Sequence, residues 1–283
     1  MKTTWKILAI ASLMVLIMAS AALAAKKVTI AYVEWDCAAA SSNVVAAVLQ
    51  EKMGYEVDLL PVAAAAMWQA TATGDVDGFV TAWLPETHAD YMEKTKANVE
   101  DLGPIVGGAR LGWAVPSYVT IDSIEELNAN VDKFSGKVIG IDPGSGLMRL
   151  SDQAMKDYSL DKFELMEGSG ATMTAALSGA IKNNEWVVVT AWSPHWMFGK
   201  WDLKYLADPK GVLGGEEHID TIVRKGLKED MPKVYAFLDN FQWKDPNQLQ
   251  MVMAWNQEGG DRYDNALRFI KENEAQVNGW IPQ

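Results

Sequence analysis

The sequence predicts an α/β fold of two related lobes, each a mainly parallel sheet flanked by helices, joined by a double crossing hinge. Short β-branched runs alternate with helical patterns along the chain, which is the pattern of strand–helix–strand units with parallel pairing. The chain also contains itself twice: Thr29-Ile30-Ala31-Tyr32-Val33 matches Val138-Ile139-Gly140-Ile141-Asp142, and Thr81-Ala82-Trp83-Leu84-Pro85 matches Thr190-Ala191-Trp192-Ser193-Pro194. Both pairs share an offset of 109 residues, from 29 to 138 and from 81 to 190, and such self-similarity means repeated architecture. Of the 283 residues, about 259 remain after a leader at 1–24, enough to divide into two lobes with large cores.

The leader reads as an export signal: Lys2 and Lys6 precede an apolar run from Ile7 to Ala19, and Ala22-Leu23-Ala24 has the small residues of a cleavage site. That run is short for a bilayer span, and no later stretch approaches the roughly 20 apolar residues a membrane helix needs. No cysteine sits at the cleavage point, so the expected product is a soluble, unanchored monomer in the bacterial periplasm. The single cysteine, Cys37, cannot form an intrachain bridge, so packing must hold the fold. Loss of Lys2 and Lys6 takes the formal charge from −12 to −14, which disfavours nucleic acid and anionic membranes as partners.

After the leader, Val28 to Val33 reads as a strand, Asn43 to Met53 as a helix and Glu56 to Leu60 as a strand, and the apolar run Gly78 to Ala82 leads into Thr-Ala-Trp-x-Pro. Gly112 to Pro116 reads as the first crossing between lobes. The second half repeats the grammar, with a strand at Val138, a helical pattern from Leu150 to Tyr158 and an apolar run from Val187 to Ala191. Asp220 to Arg224 reads as the return crossing. The expected lobes are therefore 25–114 with 221–283, and 115–220. Three helical patterns close the chain, Pro232 to Phe241, Pro246 to Gln257 and Asp261 to Val277, and are expected to pack on the first lobe.

Ligands of open α/β sheets bind outside the carboxyl ends of strands, so residues at strand exits are the candidates. Among twelve tryptophans, Trp35 follows the first strand, Trp83 ends the third, and Trp192 ends its counterpart in the second half. A tryptophan face attracts a cation by about 2 kcal/mol or more where water is excluded, so three faces could supply roughly 6 kcal/mol of the about 8 kcal/mol that micromolar binding requires. The same residues could equally be core, or a carbohydrate-stacking surface. Asp142-Pro143-Gly144-Ser145-Gly146-Leu147-Met148 stands between a strand and a helical pattern, where backbone N–H groups can hold an anion; it also reads as an ordinary turn. His88, five residues after Trp83, is close enough to reach the same pocket, or could be a helix-start residue pairing with Glu86 or solvent. His195 and Trp196 occupy the corresponding turn of the second half without an assigned role.

Taken together, Ala31-Tyr32-Val33-Glu34-Trp35-Asp36, Ala82-Trp83-Leu84-Pro85-Glu86-Thr87-His88, Ile139-Gly140-Ile141-Asp142-Pro143-Gly144-Ser145-Gly146 and Trp192-Ser193-Pro194-His195-Trp196-Met197-Phe198 resemble the glycine betaine and proline betaine-binding proteins of ABC importers. The resemblance covers essentially the whole mature chain. It implies a two-lobed periplasmic-binding-protein fold, type II-like, and a membrane subunit with its ATPase as partner. It further implies that Trp35, Trp83 and Trp192 surround a trimethylammonium group, while His88 and the N–H groups of Gly146 and Leu147 hold the carboxylate of a zwitterion. The half carrying Trp35-Asp36 comes first, a permutation of some relatives that should leave the pocket unchanged. The sequence departs from the pattern at Cys37-Ala38-Ala39, which bears on ligand size and selectivity.

An enzyme is the main rival class. The chain has no Gly-x-Ser-x-Gly elbow and no His-Glu-x-x-His helix, and its histidines His88, His195 and His218 lack metal-ligand spacing. Neither catalysis nor a cofactor is expected. Within the binding class proline betaine, dimethylsulfoniopropionate, carnitine and choline remain alternatives, as does a sensor subunit that presents ligand to a membrane receptor.

Overall fold

β-Branched and apolar runs become strands and the intervening patterns become helices throughout the computed structural model, which describes residues 27–283; the leader at 1–24 lies outside the described residues. The first half contains β1 (Lys27–Tyr32), α1 (Asp36–Glu51), β2 (Glu56–Pro61), α2 (Ala64–Thr73), β3 (Gly78–Leu84) and α3 (Ala89–Thr95). A long strand β4 (Val99–Pro116) and a 3-10 segment (Ile124–Phe134) lead to β5 (Lys137–Ile139), α4 (Gly146–Asp157), β6 (Glu164–Met166), α5 (Gly170–Asn183) and β7 (Val188–Ser193). After α6 (Met197–Lys200) and β8 (Leu203–Tyr205), β9 (Glu216–Arg224) returns the chain to the first half. The tail forms α7 (Leu227–Asp230), α8 (Pro232–Asn240), α9 (Pro246–Glu258), α10 (Arg262–Glu272) and α11 (Glu274–Trp280).

The strand order β2-β1-β3-β9-β4-β7-β5-β6, with β8 on β4, is a near-mirror of itself. On one side β1 lies parallel between β2 and β3; on the other β5 lies parallel between β6 and β7. This is the internal repeat in three dimensions. Between the two triplets β4 and β9 run antiparallel from Val99↔Arg224 to Arg110↔Glu216. At Arg110 β4 also begins pairing with β7, opposite Ser193, while β9 pairs with β3 on its other edge. The two connections between halves therefore lie side by side. Gly112 to Pro116 forms the carboxyl end of β4, paired with β7 and β8.

Helix α1 starts at Asp36, seven residues before the helical pattern expected from Asn43. Cys37 through Leu49 are all buried, and a helix buried on every side has no polar face to generate a period. Its small residues, Ala38 to Ala40 with Ser41 and Ser42, allow the close packing. Strands β3 and β7 run one residue beyond Trp83 and Trp192, and each is followed by a cis peptide bond, Leu84–Pro85 and Ser193–Pro194. The third tail pattern divides at Asn273, whose backbone (φ −127°, ψ 36°) leaves the helical region.

Two apolar clusters form the core. The larger holds Trp68, Phe79, Phe237, Phe241 and Phe269 with the buried face of α1, and α9 and α10 pack directly on α1, so the tail does cover the first half. The smaller belongs to the second half and gathers Val115, Ile124, Leu127, Phe134 and Val188 around Trp113, whose Nε1–H donates to Ser151 Oγ at 2.9 Å.

Candidate ligand-binding site

The mirrored sheet brings the carboxyl ends of β1, β3, β5 and β7 toward one cleft. Trp35 stands immediately before α1; Trp83 and Trp192 occupy the penultimate positions of β3 and β7; His88 precedes α3; and Ser145 caps α4, its hydroxyl accepting from Met148 N–H at 3.2 Å. One cavity is lined by all six residues singled out in the sequence, Trp35, Trp83, Trp192, His88, Gly146 and Leu147. The three tryptophans are buried, at 3–7% exposure. Cys37, Thr87, Leu111, Ile141 and Ser145 complete the lining.

His88 is fully buried, and its backbone turn fixes its tautomer. Its Nδ1 accepts the Trp83 backbone N–H at 3.1 Å, and its own N–H returns to the Trp83 carbonyl at 2.9 Å. A neutral imidazole accepting at Nδ1 carries its proton at Nε2, and Nε2 is buried without a hydrogen-bond partner among the described residues. Burial, with a smaller contribution from the Arg149 guanidinium, pushes the His88 pKa down to about 3, so the ring is a neutral donor at ordinary pH. The Gly146 and Leu147 N–H groups belong to the first turn of α4, where no carbonyl lies one turn earlier to receive them and the helix dipole favours an anion. Burial, reinforced by Asp36, drives the Cys37 thiol up to about 12, which makes it an inert, uncharged wall.

The halves meet around this cavity. A Cβ at Gly146 would stand 2.3 Å from the Thr87 carbonyl oxygen, so glycine is what allows α4 to approach the turn before α3. Arg149 Nη2 donates to the Glu86 and Thr87 carbonyls at 3.3 and 3.4 Å, and the Tyr91 hydroxyl donates to the Gly144 carbonyl at 3.1 Å. Thr87 is itself held by Glu217 of β9, which accepts its N–H at 3.0 Å and also its hydroxyl. On the far side, the Trp35 indole N–H donates to Asp142 Oδ1 at 2.8 Å and the Trp196 indole N–H to Asp36 Oδ2 at 2.9 Å.

His195 is also held through Nδ1, but by a different backbone group: it accepts the N–H of Met197, two residues on, at 3.1 Å. It lies outside the cavity lining; its Nε2 stands 3.2 Å from Asp36 Oδ2 without a hydrogen-bond partner among the described residues. His218 pairs with Asp220 on β9. No cluster among the described residues could hold a metal ion. Of the lining residues missed in the sequence, Ser145 carried a signal as a serine before a helical pattern. Leu111 and Ile141 carried none, because their approach depends on how the halves close.

A family model described as the substrate binding domain of the ABC-type glycine betaine transport system, OpuAC, matches residues 26–272. The chain belongs to this family. The OpuAC family is a transport substrate-binding domain, not an enzyme family. A stretch of 145 residues is 46% identical to the glycine betaine/carnitine transport binding protein GbuC of Listeria monocytogenes serotype 1/2a (strain 10403S), covering 50% of this chain and 48% of that protein, so the match spans about half of that relative. Among solved structures, lactococcal OpuAC in its closed-liganded conformation complexed with glycine betaine superposes with a TM-score of 0.86 at 41% identity, over 91% of this chain and 100% of that one. The glycine/betaine/L-proline-binding protein ProX from Borrelia burgdorferi gives 0.87 at 40% identity, over 91% and 97%. A choline-binding protein in complex with choline gives 0.82 at 25% identity, over 90% and 91%. No helix among the described residues of this OpuAC-family chain is long and apolar enough to cross a membrane.

Proposed function

We propose that this protein captures glycine betaine, or a closely related quaternary-ammonium or sulfonium zwitterion, outside the cytoplasmic membrane and delivers it to the membrane subunit and ATPase of an ABC importer. The observation that carries this reading is the composition of one cavity: three buried tryptophans beside a buried imidazole N–H without a partner. The tryptophan faces attract a trimethylammonium group through their quadrupoles. The His88 Nε2–H and the Gly146 and Leu147 N–H groups take the carboxylate, relieving a buried donor that otherwise costs about 1–3 kcal/mol. Both ends of a zwitterion are thereby satisfied in a site with no charged side chain among its lining residues.

Choline offers the cation without the carboxylate and would leave His88 unpaired, so it should bind less well; the likeness to a choline-binding structure makes it the comparison to measure. Ligand loads first on one lobe, and rotation about the β4–β9 pair brings the other over it. The lobes proposed are 25–114 with 221–283, and 115–220, exported by a leader at 1–24 as a periplasmic monomer. Titration calorimetry of ligand-free protein with glycine betaine, proline betaine, dimethylsulfoniopropionate, carnitine and choline tests the reading. Tight binding of a zwitterion with weak choline binding is expected. Preference for choline removes the carboxylate clamp, and heat from none of the five removes the cage.

A further inference from the structure

We infer that Asp142 and Asp36 are positioning residues for capture: each carboxylate reaches across the cleft to fix an indole of the opposite half, Asp142 that of the cage residue Trp35 and Asp36 that of Trp196 outside the cavity lining, so that the site is held together only when the lobes meet. The inference rests on the betaine-capture reading and extends it to residues outside the cavity lining. Trp35 and Asp36 are neighbours at the start of α1, yet they bond in opposite directions: Trp35 donates across the cleft to Asp142, and Asp36 accepts across it from Trp196.

An indole has a single N–H and no acceptor, so the partner of that N–H sets how the ring face is presented. With the lobes apart, water takes the proton of Trp35 and the ring can turn. With the lobes together, a carboxylate takes it, and hydrogen bonds to an ionised acceptor are the stronger kind. Asp142 does two things at once. Its side chain orients a cage ring, while its carbonyl accepts the Ser145 N–H at 3.0 Å and the Ser145 hydroxyl at 2.9 Å, shaping the turn that presents Gly146 and Leu147. One residue thus ties the cation end of the site to the anion end. Asp36 is held as well from the tail, by Gln257 Nε2 at 2.9 Å on its other oxygen, so the carboxylate is aimed before Trp196 arrives. Neither bond exists within one half, so neither can contribute to folding of a separated lobe.

Stopped-flow tryptophan fluorescence of glycine betaine binding and release, on the full mature chain, tests this with Asp142→Ala, Asp142→Asn and Asp36→Ala. Both alanine variants should release ligand about tenfold faster or more, the scale of a charge-assisted bond, with association rates within about threefold of wild type. Asp142→Asn keeps an acceptor oxygen and should recover most of the loss. Ligand-free melting temperatures should be unchanged. Unchanged release rates, or a fall in ligand-free stability that matches the fall in affinity, would overturn the inference. A wild-type protein that binds no betaine would instead overturn the capture reading. The latch would then be decided by the same release measurement with choline, whose trimethylammonium group needs the cage alone: faster release from the alanine variants than from wild type supports it, and equal release ends it.

Discussion

At the residue scale, the proposed cage and clamp make separable demands. Trp83→Ala and Trp192→Ala each remove one ring face, and each should weaken betaine binding at least about tenfold, the equivalent of about 1.4 kcal/mol; calorimetry reads the affinity and circular dichroism checks that the variants fold. His88 brings a pH dependence with a definite sign. Its pKa is about 3 in the fold against about 6.5 in an unfolded chain, so between those values the unfolded state binds more protons. Stability is therefore complete above about pH 6.5 and falls as pH drops toward 3, by up to about 1.4 kcal/mol per pH unit from this group. Urea denaturation of ligand-free protein at stepped pH should show that slope, and His88→Gln should remove its share. Asp36 shows the opposite balance: burial works to raise its carboxyl, but the nearby His195 ring and the Trp196 indole N–H outweigh that and hold it below the usual carboxylate range.

At the element scale, the start of α4 is where local structure and binding coincide. Ser145→Ala removes the cap that accepts the Met148 N–H and should cost about 1 kcal/mol of stability, measurable by urea denaturation, with a loss of betaine affinity because the Gly146–Leu147 turn is loosened. Ser145 carried the signal of a cap but was not singled out; tryptophans after apolar strands and glycines between strand and helix were legible in the sequence. The start of α1 was not, because burial on every side erased its periodicity. The division of the last helical pattern at Asn273 was not either, since that residue leaves helical geometry without a glycine or proline to announce it. Contacts such as Thr87 with Glu217 or Trp35 with Asp142 join residues more than a hundred positions apart. They depend on the register of β9 against β3 and on the approach of the halves, neither of which leaves a local pattern.

At the scale of the whole molecule, the repeat offset in the sequence corresponds to the mirrored order β2-β1-β3 and β6-β5-β7 around the central β9–β4 pair. Two antiparallel strands side by side can twist while keeping their ladder, and so form the natural axis for closure. Small-angle scattering should show a smaller radius of gyration with saturating betaine than without; identical profiles would remove closure from the mechanism. The approach of Gly146 to Thr87 has a further consequence for how such a protein can change over generations. A methyl group there collides with the carbonyl oxygen and the side chain of Thr87 in the other half. On the capture proposed above, an alanine there would separate binding from folding: ligand retention would fall while each half kept its own sheet. Selection for capture, rather than for folding, would then hold glycine at that position.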